Sequence, residues 1–254
     1  MTTNVPEVKV LGIPGIPIVG KGDDLVALIY DAATAAQLTF EAGDVLVVTQ
    51  KIVSKAEGCL ISLKDVAPSS FAEAYARQWD KDPRSVEVVL RQSRRIAKMD
   101  RGVLIAETHH GLICANAGVD QSNIEGEEVV AVLPPDPDRS ARGIRDGLKA
   151  RTGVDMAVII ADTFGRPWRE GLVNVAIGLS GIQAVKDYTG LHDAQGYELR
   201  VTALAVADEL ASAAELVMNK LDKVPVALIR GYDYPRGESK VSDLMREPQF
   251  DLFR

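Results

Sequence analysis

The sequence predicts an α+β (mixed α/β) fold in which mixed sheets pack against helices. Three observations predict it. Short apolar runs rich in β-branched residues, at 45–49 and 156–161, have the length of buried strands. Longer segments with apolar residues at helical spacing lie between them, as at Leu25, Leu28, Ile29, Ala32 and Ala36. The order of the two kinds of segment mixes hairpin-like with crossover-like connections, which neither an all-parallel nor an all-antiparallel sheet produces.

Residues 8–11 read as a short strand, followed by a stiff Gly/Pro turn from Gly12 to Pro17. A helix begins near residue 23, where Asp23 or Asp24 is placed to cap it. Gly43 and Asp44 open the strand that starts at Val45. Helical patterns cover 69–80 and 83–93, and strands follow at 103–106, 112–115 and 129–133. Pro134-Pro135-Asp136-Pro137 is the clearest break, a subdomain boundary near 134–138 within a single 1–254 unit. Beyond it come a helix at 139–151 and a strand at 156–161 that ends on Asp162. Strands at 173–179 and 183–186, an alanine-rich helix between 201 and 220, and a strand at 225–230 complete the order.

Composition excludes several classes. With 46% hydrophobic and 26% charged residues, the 254-residue chain has enough apolar mass for a substantial core. No run approaches the roughly 20 apolar residues needed to span a bilayer, and the N-terminus lacks the charged-then-apolar order of a signal peptide. A cytoplasmic protein without a membrane partner is expected. The net charge of −7 argues against nucleic acid, which calls for a basic face. Cys59 and Cys114 have no metal-ligand spacing and read as buried small hydrophobes.

Residues 15–22, GIPIVGKG, have the spacing of a phosphate-binding P-loop up to the last position. There the motif fails: Pro17 has no N–H to offer phosphate, and Gly22 has no hydroxyl for magnesium. The loop reads as a rigid wall beside a ligand, with Lys21 solvated. Residues 49–58, TQKIVSKAEG, place two lysines and several hydroxyl or amide groups after a strand. That pattern suits phosphate recognition at a strand's end, and equally a solvated loop. The adjacent His109 and His110 point apart and suit structural or surface roles.

Residues 114–123, CANAGVDQSN, combine small residues with Asp120 and Asn123, which can face one site from a turn or simply form an Asx-rich turn. In residues 158–169, VIIADTFGRPWR, an acid follows an apolar strand and precedes a hydroxyl and two arginines. A charge beside a buried strand costs stability unless paired or metal-bound, and helix capping is the alternative. Asp120 and Asp162 together suit one or two Mg²⁺ or Mn²⁺ ions, which prefer oxygen ligands. Arg166 and Arg169 suit a carboxylate or residual negative charge. Asp120, Asp162 and Arg166 are thus the candidate catalytic residues for metal-assisted phosphate chemistry.

At these residues the chain resembles the coenzyme F420-0:L-glutamate ligase family, over nearly its whole length. Five segments carry the resemblance: GIPGIPIVGKGDDL, DVLVVTQKIVSKAEG, HGLICANAGVDQSN, ADTFGRPWREG, and PVALIRG after the alanine-rich helix. The resemblance implies a GTP-dependent ligase that phosphorylates the terminal carboxylate of F420-0 and lets the amine of L-glutamate displace phosphate. A second round would extend the product, F420-1, through a γ-linkage. It also implies an intertwined homodimer and K⁺ as a further cation. Some relatives carry a C-terminal nitroreductase-like domain; this chain stops at Arg254, so that reductase activity is not expected.

Carried over by motif, Ile16, Pro17, Ile18, Val19, Gln50, Lys55 and Asn123 would line the GTP site. So would Met218, Asn219, Lys220, Leu221, Asp222, Lys223, Val224 and Pro225. Asp120 and Asp162 would bind the first metal, with Thr163 at the second. Relatives place a second-metal ligand within 218–225, whereas this chain offers Asn219 and Lys220, and a protonated lysine cannot coordinate a metal. Two rival readings use the same residues: a metal-dependent phosphohydrolase and a non-catalytic GTP-binding protein.

Overall fold

The computed structural model describes residues 5–121 and 128–251. Its centre is a five-stranded sheet of β1 (Lys9–Gly12), β2 (Val45–Thr49), β8 (Ala157–Arg166), β9 (Arg169–Ser180) and β12 (Val226–Arg230). The spatial order is β1-β12-β2-β8-β9, with β2 and β8 parallel and every other neighbouring pair antiparallel. The mixture of connections expected from the sequence is therefore present within one sheet.

Alternation along these strands divides the core in two. Leu46, Val48, Val158, Ile160 and Leu228 point to the face covered by α1 (Leu25–Ala35) and α5 (Pro137–Thr152). Val45, Val47, Ile159, Ala161 and Ile229 point to the other, covered by α6 (Val206–Met218). A strand pair buried on both faces must be apolar throughout, which is why 45–49 and 157–161 read as continuous runs. The strand–helix approach is close at Gly178: a Cβ there would meet the Pro137 carbonyl at 2.5 Å.

Local chemistry sets the helix ends. Asp24 accepts the Ala27 N–H at the start of α1, and Asp136 accepts the Arg139 N–H ahead of Pro137, the first residue of α5. The break at 134–138 is thus the capped entry to a helix. Gly153, at φ 73°, terminates α5 in the left-handed conformation that glycine adopts without strain.

A second body of structure packs beside the sheet. It contains α2 (Gln50–Ala56), β3 (Leu60–Ser62), α3 (Ser70–Trp79), α4 (Pro83–Arg91), β4 (Ser93–Asp100), β5 (Val103–Thr108), β6 (Ile113–Ala115) and β7 (Val129–Ala131). β4, β5 and β6 form one antiparallel sheet, and β3 pairs with β7. The short β10 (Lys186–Asp187) pairs with β11 (Ala203–Leu204). No helix among the described residues is long and apolar enough to cross a membrane.

Several expectations are corrected. The polar stretch after β2 is a helix rather than a loop, and residues 201–205 lie outside α6. Cys114 is buried as expected, with its thiol pushed up to about 12 mainly by desolvation, but Cys59 is only half-buried. The two histidines occupy a turn, where His109 contacts the Arg91 carbonyl and His110 the Pro134 carbonyl, each at 2.9 Å.

Candidate functional site

Four of the segments singled out in the sequence meet at one end of the central sheet. β1 ends there at Gly12, opposite Ala227, and Thr49 at the end of β2 lies beside Ala161 of β8. The same end receives β12: the Pro225 carbonyl accepts the Thr49 N–H at 2.9 Å, and the Val226 carbonyl accepts the Ile13 N–H at 2.8 Å. Residues 13–19, α2, the middle of β8 and the loop 219–225 therefore radiate from one edge.

Asp162 does not end its strand. It lies inside β8, one residue past the last pairing with β2, and β8 continues to Arg166 as a hairpin with β9. β2 stops at Thr49 because the chain turns into α2, which leaves one flank of β8 open at Asp162. Helix capping is excluded for this carboxylate, whose Oδ1 accepts the neighbouring Thr163 N–H at 2.8 Å. Desolvation raises the carboxyl to about 6; the Thr163 N–H lowers it, Asp120 raises it, and Lys51 and Lys220 lower it.

Asp120 is brought to this end by a tight turn. Asn116, Ala117 and Gly118 all have positive φ, and Asp120 pairs by backbone hydrogen bonds with Ala131. Gly118 serves packing rather than close ligand approach: a Cβ would meet Leu133 Cδ2 at 2.9 Å. The Asp120 carboxylate receives the Lys51 ammonium at 2.8 Å. Asn123 lies outside the described residues.

The remaining expected residues divide by orientation. Ile16 and Val19 are buried anchors, while Pro17 and Ile18 are exposed. The Gly20 N–H donates to Asp23 and the Gly22 N–H to the Ala56 carbonyl, each at 2.8 Å, so neither is available to a phosphate. Gln50 is buried and its amide donates to Ser54 and the Val132 carbonyl, tying α2 to the chain after β7. Lys55 is half-buried in the last turn of α2. Met218 is buried at the end of α6; Asn219, Lys220, Leu221, Asp222 and Lys223 are exposed; Val224 and Pro225 are half-buried. Arg166 sits four residues along β8 from Asp162, roughly 13 Å by strand rise, and is not brought into the acid pair. Its Nη2 donates to the Glu170 carbonyl at 2.7 Å, and its Nε is buried without a partner among the described residues.

The donor set at Asp120 and Asp162 suits a hard cation. Two carboxylates raise each other's cost of ionisation, and a divalent ion between them removes that cost. No three His, Cys, Asp or Glu side chains among the described residues converge to hold a metal. Thr163 is different. Its hydroxyl donates to Asn174 Oδ1 and accepts from Lys220 Nζ, both at 2.7 Å, and an ammonium at that distance opposes a divalent ion on the same oxygen.

Asn174 and Glu215 were not singled out by sequence reasoning, and Lys51 was read only as one of two lysines suited to phosphate, not as the partner of Asp120. Asn174 carried a signal, a single amide inside an apolar strand. Glu215 lies on α6, and only the packing of that helix against β9 brings it to Asn174.

A cavity of about 130 Å³ lined by Arg145, Asp155, Met156 and Tyr234 lies at the other end of the sheet. It is below the roughly 300–1,000 Å³ of a small-molecule pocket.

Comparison with known proteins supplies the family. The profile of the family described as F420-0:Gamma-glutamyl ligase matches residues 15–231. A coenzyme F420:L-glutamate ligase of Methanopyrus kandleri is 45% identical over 255 residues, covering 98% of this chain and 99% of that protein. One from Methanothermobacter thermautotrophicus is 43% identical over 250 residues, covering 97% and 99%. A third, from Methanocaldococcus jannaschii, is 42% identical over 249 residues, covering 98% and 97%.

Proposed function

The chain belongs to the F420-0:Gamma-glutamyl ligase family, and on that premise we propose that it joins L-glutamate through its amine to the carboxylate of F420-0, consuming GTP. The observation that carries the proposal is the convergence of residues 13–19, α2, Asp162 and the loop 219–225 on one edge of the sheet, with Asp120 tied to α2 through Lys51.

A carboxylate in water resists amine attack, so the reaction needs an activated acyl group. The γ-phosphoryl group of GTP passes to a carboxylate oxygen of F420-0, and GDP leaves. The glutamate amine then attacks the acyl carbon, phosphate departs with the activated oxygen, and the amine proton is released. A further round on F420-1 uses the γ-carboxylate of the added glutamate.

These steps call for positioning and charge neutralisation rather than a protein nucleophile. Mg²⁺ or Mn²⁺ held by Asp120 and Asp162 would supply positive charge against the phosphate oxygens. Pro17 and Ile18 present an apolar wall on the exposed side of the 13–19 loop. Lys55 supplies a cation from α2, while Lys51 orients Asp120. Arg166, whose Nε–H has no partner among the described residues, suits a substrate carboxylate further along the hairpin. The working form is a homodimer in this reading, supported by exposed Trp168 and Leu172 on that hairpin.

Mass spectrometry of products from F420-0, L-glutamate, GTP and Mn²⁺ tests the proposal. One GDP and one phosphate are expected for each amide formed. Phosphate release that does not depend on glutamate would instead indicate a phosphohydrolase.

A further inference from the structure

Thr163, Asn174, Glu215 and Lys220 close a ring of hydrogen bonds beside Asp162. The Thr163 hydroxyl donates to Asn174 Oδ1 at 2.7 Å, and Asn174 Nδ2 donates to Glu215 Oε2 at 2.6 Å. Lys220 Nζ returns to both ends, 2.7 Å from Glu215 Oε1 and 2.7 Å from Thr163 Oγ1. Three different elements contribute: Thr163 and Asn174 are cross-strand partners on β8 and β9, Glu215 is in the last turns of α6, and Lys220 lies just beyond it.

The ring settles the valences of Thr163. Its one proton goes to Asn174 and one lone pair to Lys220, so only a single lone pair remains. A divalent ion using that lone pair would sit a few ångströms from the ammonium, and both oxygens of the neighbouring Glu215 already accept hydrogen bonds within the ring. The hydroxyl that would anchor a second metal is instead the seat of a tethered positive charge.

We propose that the Lys220 ammonium is a built-in cation of the nucleotide site, standing at Thr163 in place of a second divalent ion. The chain then binds one divalent ion, at Asp120 and Asp162, and Lys220 offsets polyphosphate charge from the opposite side. The placement requires a side chain long enough to cross from the exposed 219–223 loop to β8, and Lys220 spans it while most of its stem stays in solvent. Asn219 shapes the loop, adopting φ 48° and donating from its amide to Asp222 at 2.8 Å. The inference rests on the ligase reading for its nucleotide and adds the number and identity of the cations.

The test is the number of Mn²⁺ ions bound per chain at saturation with a non-hydrolysable GTP analogue, read from the electron paramagnetic resonance signal of free Mn²⁺. Wild type is expected to bind one ion. Lys220→Gln removes the charge and offers an amide oxygen, and should bind two; Lys220→Arg keeps the charge and should bind one. Zero or two ions in the wild type, or a count of one in Lys220→Gln, overturns the inference. Glutamate-dependent GDP release is measured separately on the same preparations. A wild type that ligates glutamate yet binds two ions removes the inference and leaves the ligase reading. Counts of one, two and one without glutamate-dependent turnover do the reverse.

Discussion

Lys51 Nζ lies 2.8 Å from Asp120 Oδ2, joining the helix that follows β2 to the turn that follows β6. The same lysine acts on Asp162, so one ammonium partly balances both candidate metal ligands. Lys220 also acts on Asp162 but is paired with Glu215, so the site retains negative charge for a divalent ion.

Replacing Asp120 or Asp162 with Asn preserves volume and removes that charge. Ligase activity is expected to fall by at least roughly 100-fold in each variant, the scale seen when a principal electrostatic stabiliser is lost. Near-normal turnover of Asp162→Asn at saturating Mn²⁺ would overturn the assignment.

The metal-free fold should also reveal Asp162 through pH. Its carboxyl is raised from 3.8 to about 6, chiefly by burial. Between those values the folded chain binds more protons than the unfolded one, so stability falls as pH rises through the window. Above it the full penalty applies, at most about 3 kcal/mol. Asp162→Asn should therefore raise the Tm of the metal-free protein near neutral pH, with the gain shrinking as pH approaches about 4. An equal Tm for the two proteins at neutral pH would contradict this account.

Lys55 and Lys21 separate the two phosphate motifs. Lys55 is in the last turn of α2 at the site end of the sheet, whereas exposed Lys21 lays its stem against Gly58. Lys55→Ala is expected to raise the KM for GTP by roughly tenfold or more, consistent with one charge-assisted contact, and Lys21→Ala to change it little. Steady-state kinetics with GTP as the varied substrate will show which lysine matters, and the opposite pattern would restore the P-loop.

Among the described residues, Asp120 and Asp162 supply fewer oxygens than the roughly six that Mg²⁺ prefers, and phosphate oxygens should help to complete the shell. GTP and Mn²⁺ together should raise Tm by more than the sum of their separate shifts, as linkage requires when each strengthens the other. Additive shifts in metal-stripped protein would count against a shared site.

The opposite end of the sheet is held by a different pair. Arg230 Nε and Nη2 each donate to a carboxylate oxygen of fully buried Asp44 at 2.8 Å, linking β12 to the start of β2. Arg230→Met leaves that buried carboxylate without its guanidinium and with the Glu41 N–H still donating to it, and should cost about 3–5 kcal/mol in urea unfolding. A loss below about 1 kcal/mol would mean that water replaces the guanidinium.

Much of this protein was determined by its sequence alone. The runs at 45–48, 157–161 and 226–229 are apolar throughout because those strands are covered on both faces, and that pattern is visible without a structure. Asp24, Asp136 and Gly153 mark helix ends for equally local reasons. The failure of residues 15–22 as a P-loop was also legible, since a missing N–H and a missing hydroxyl are properties of single residues. Position within the sheet was not. Asp162 read as the end of a strand because the apolar run stops there, yet β8 continues to Arg166 through pairing with β9 while β2 leaves at Thr49. The partners Lys51 to Asp120, and Lys220 to Thr163 and Glu215, depend on where α2, the turn at 116–120 and α6 come to rest. Charged side chains on separate elements carry no periodicity that links them; only packing brings them within hydrogen-bond distance, and only packing decided that an ammonium stands at Thr163.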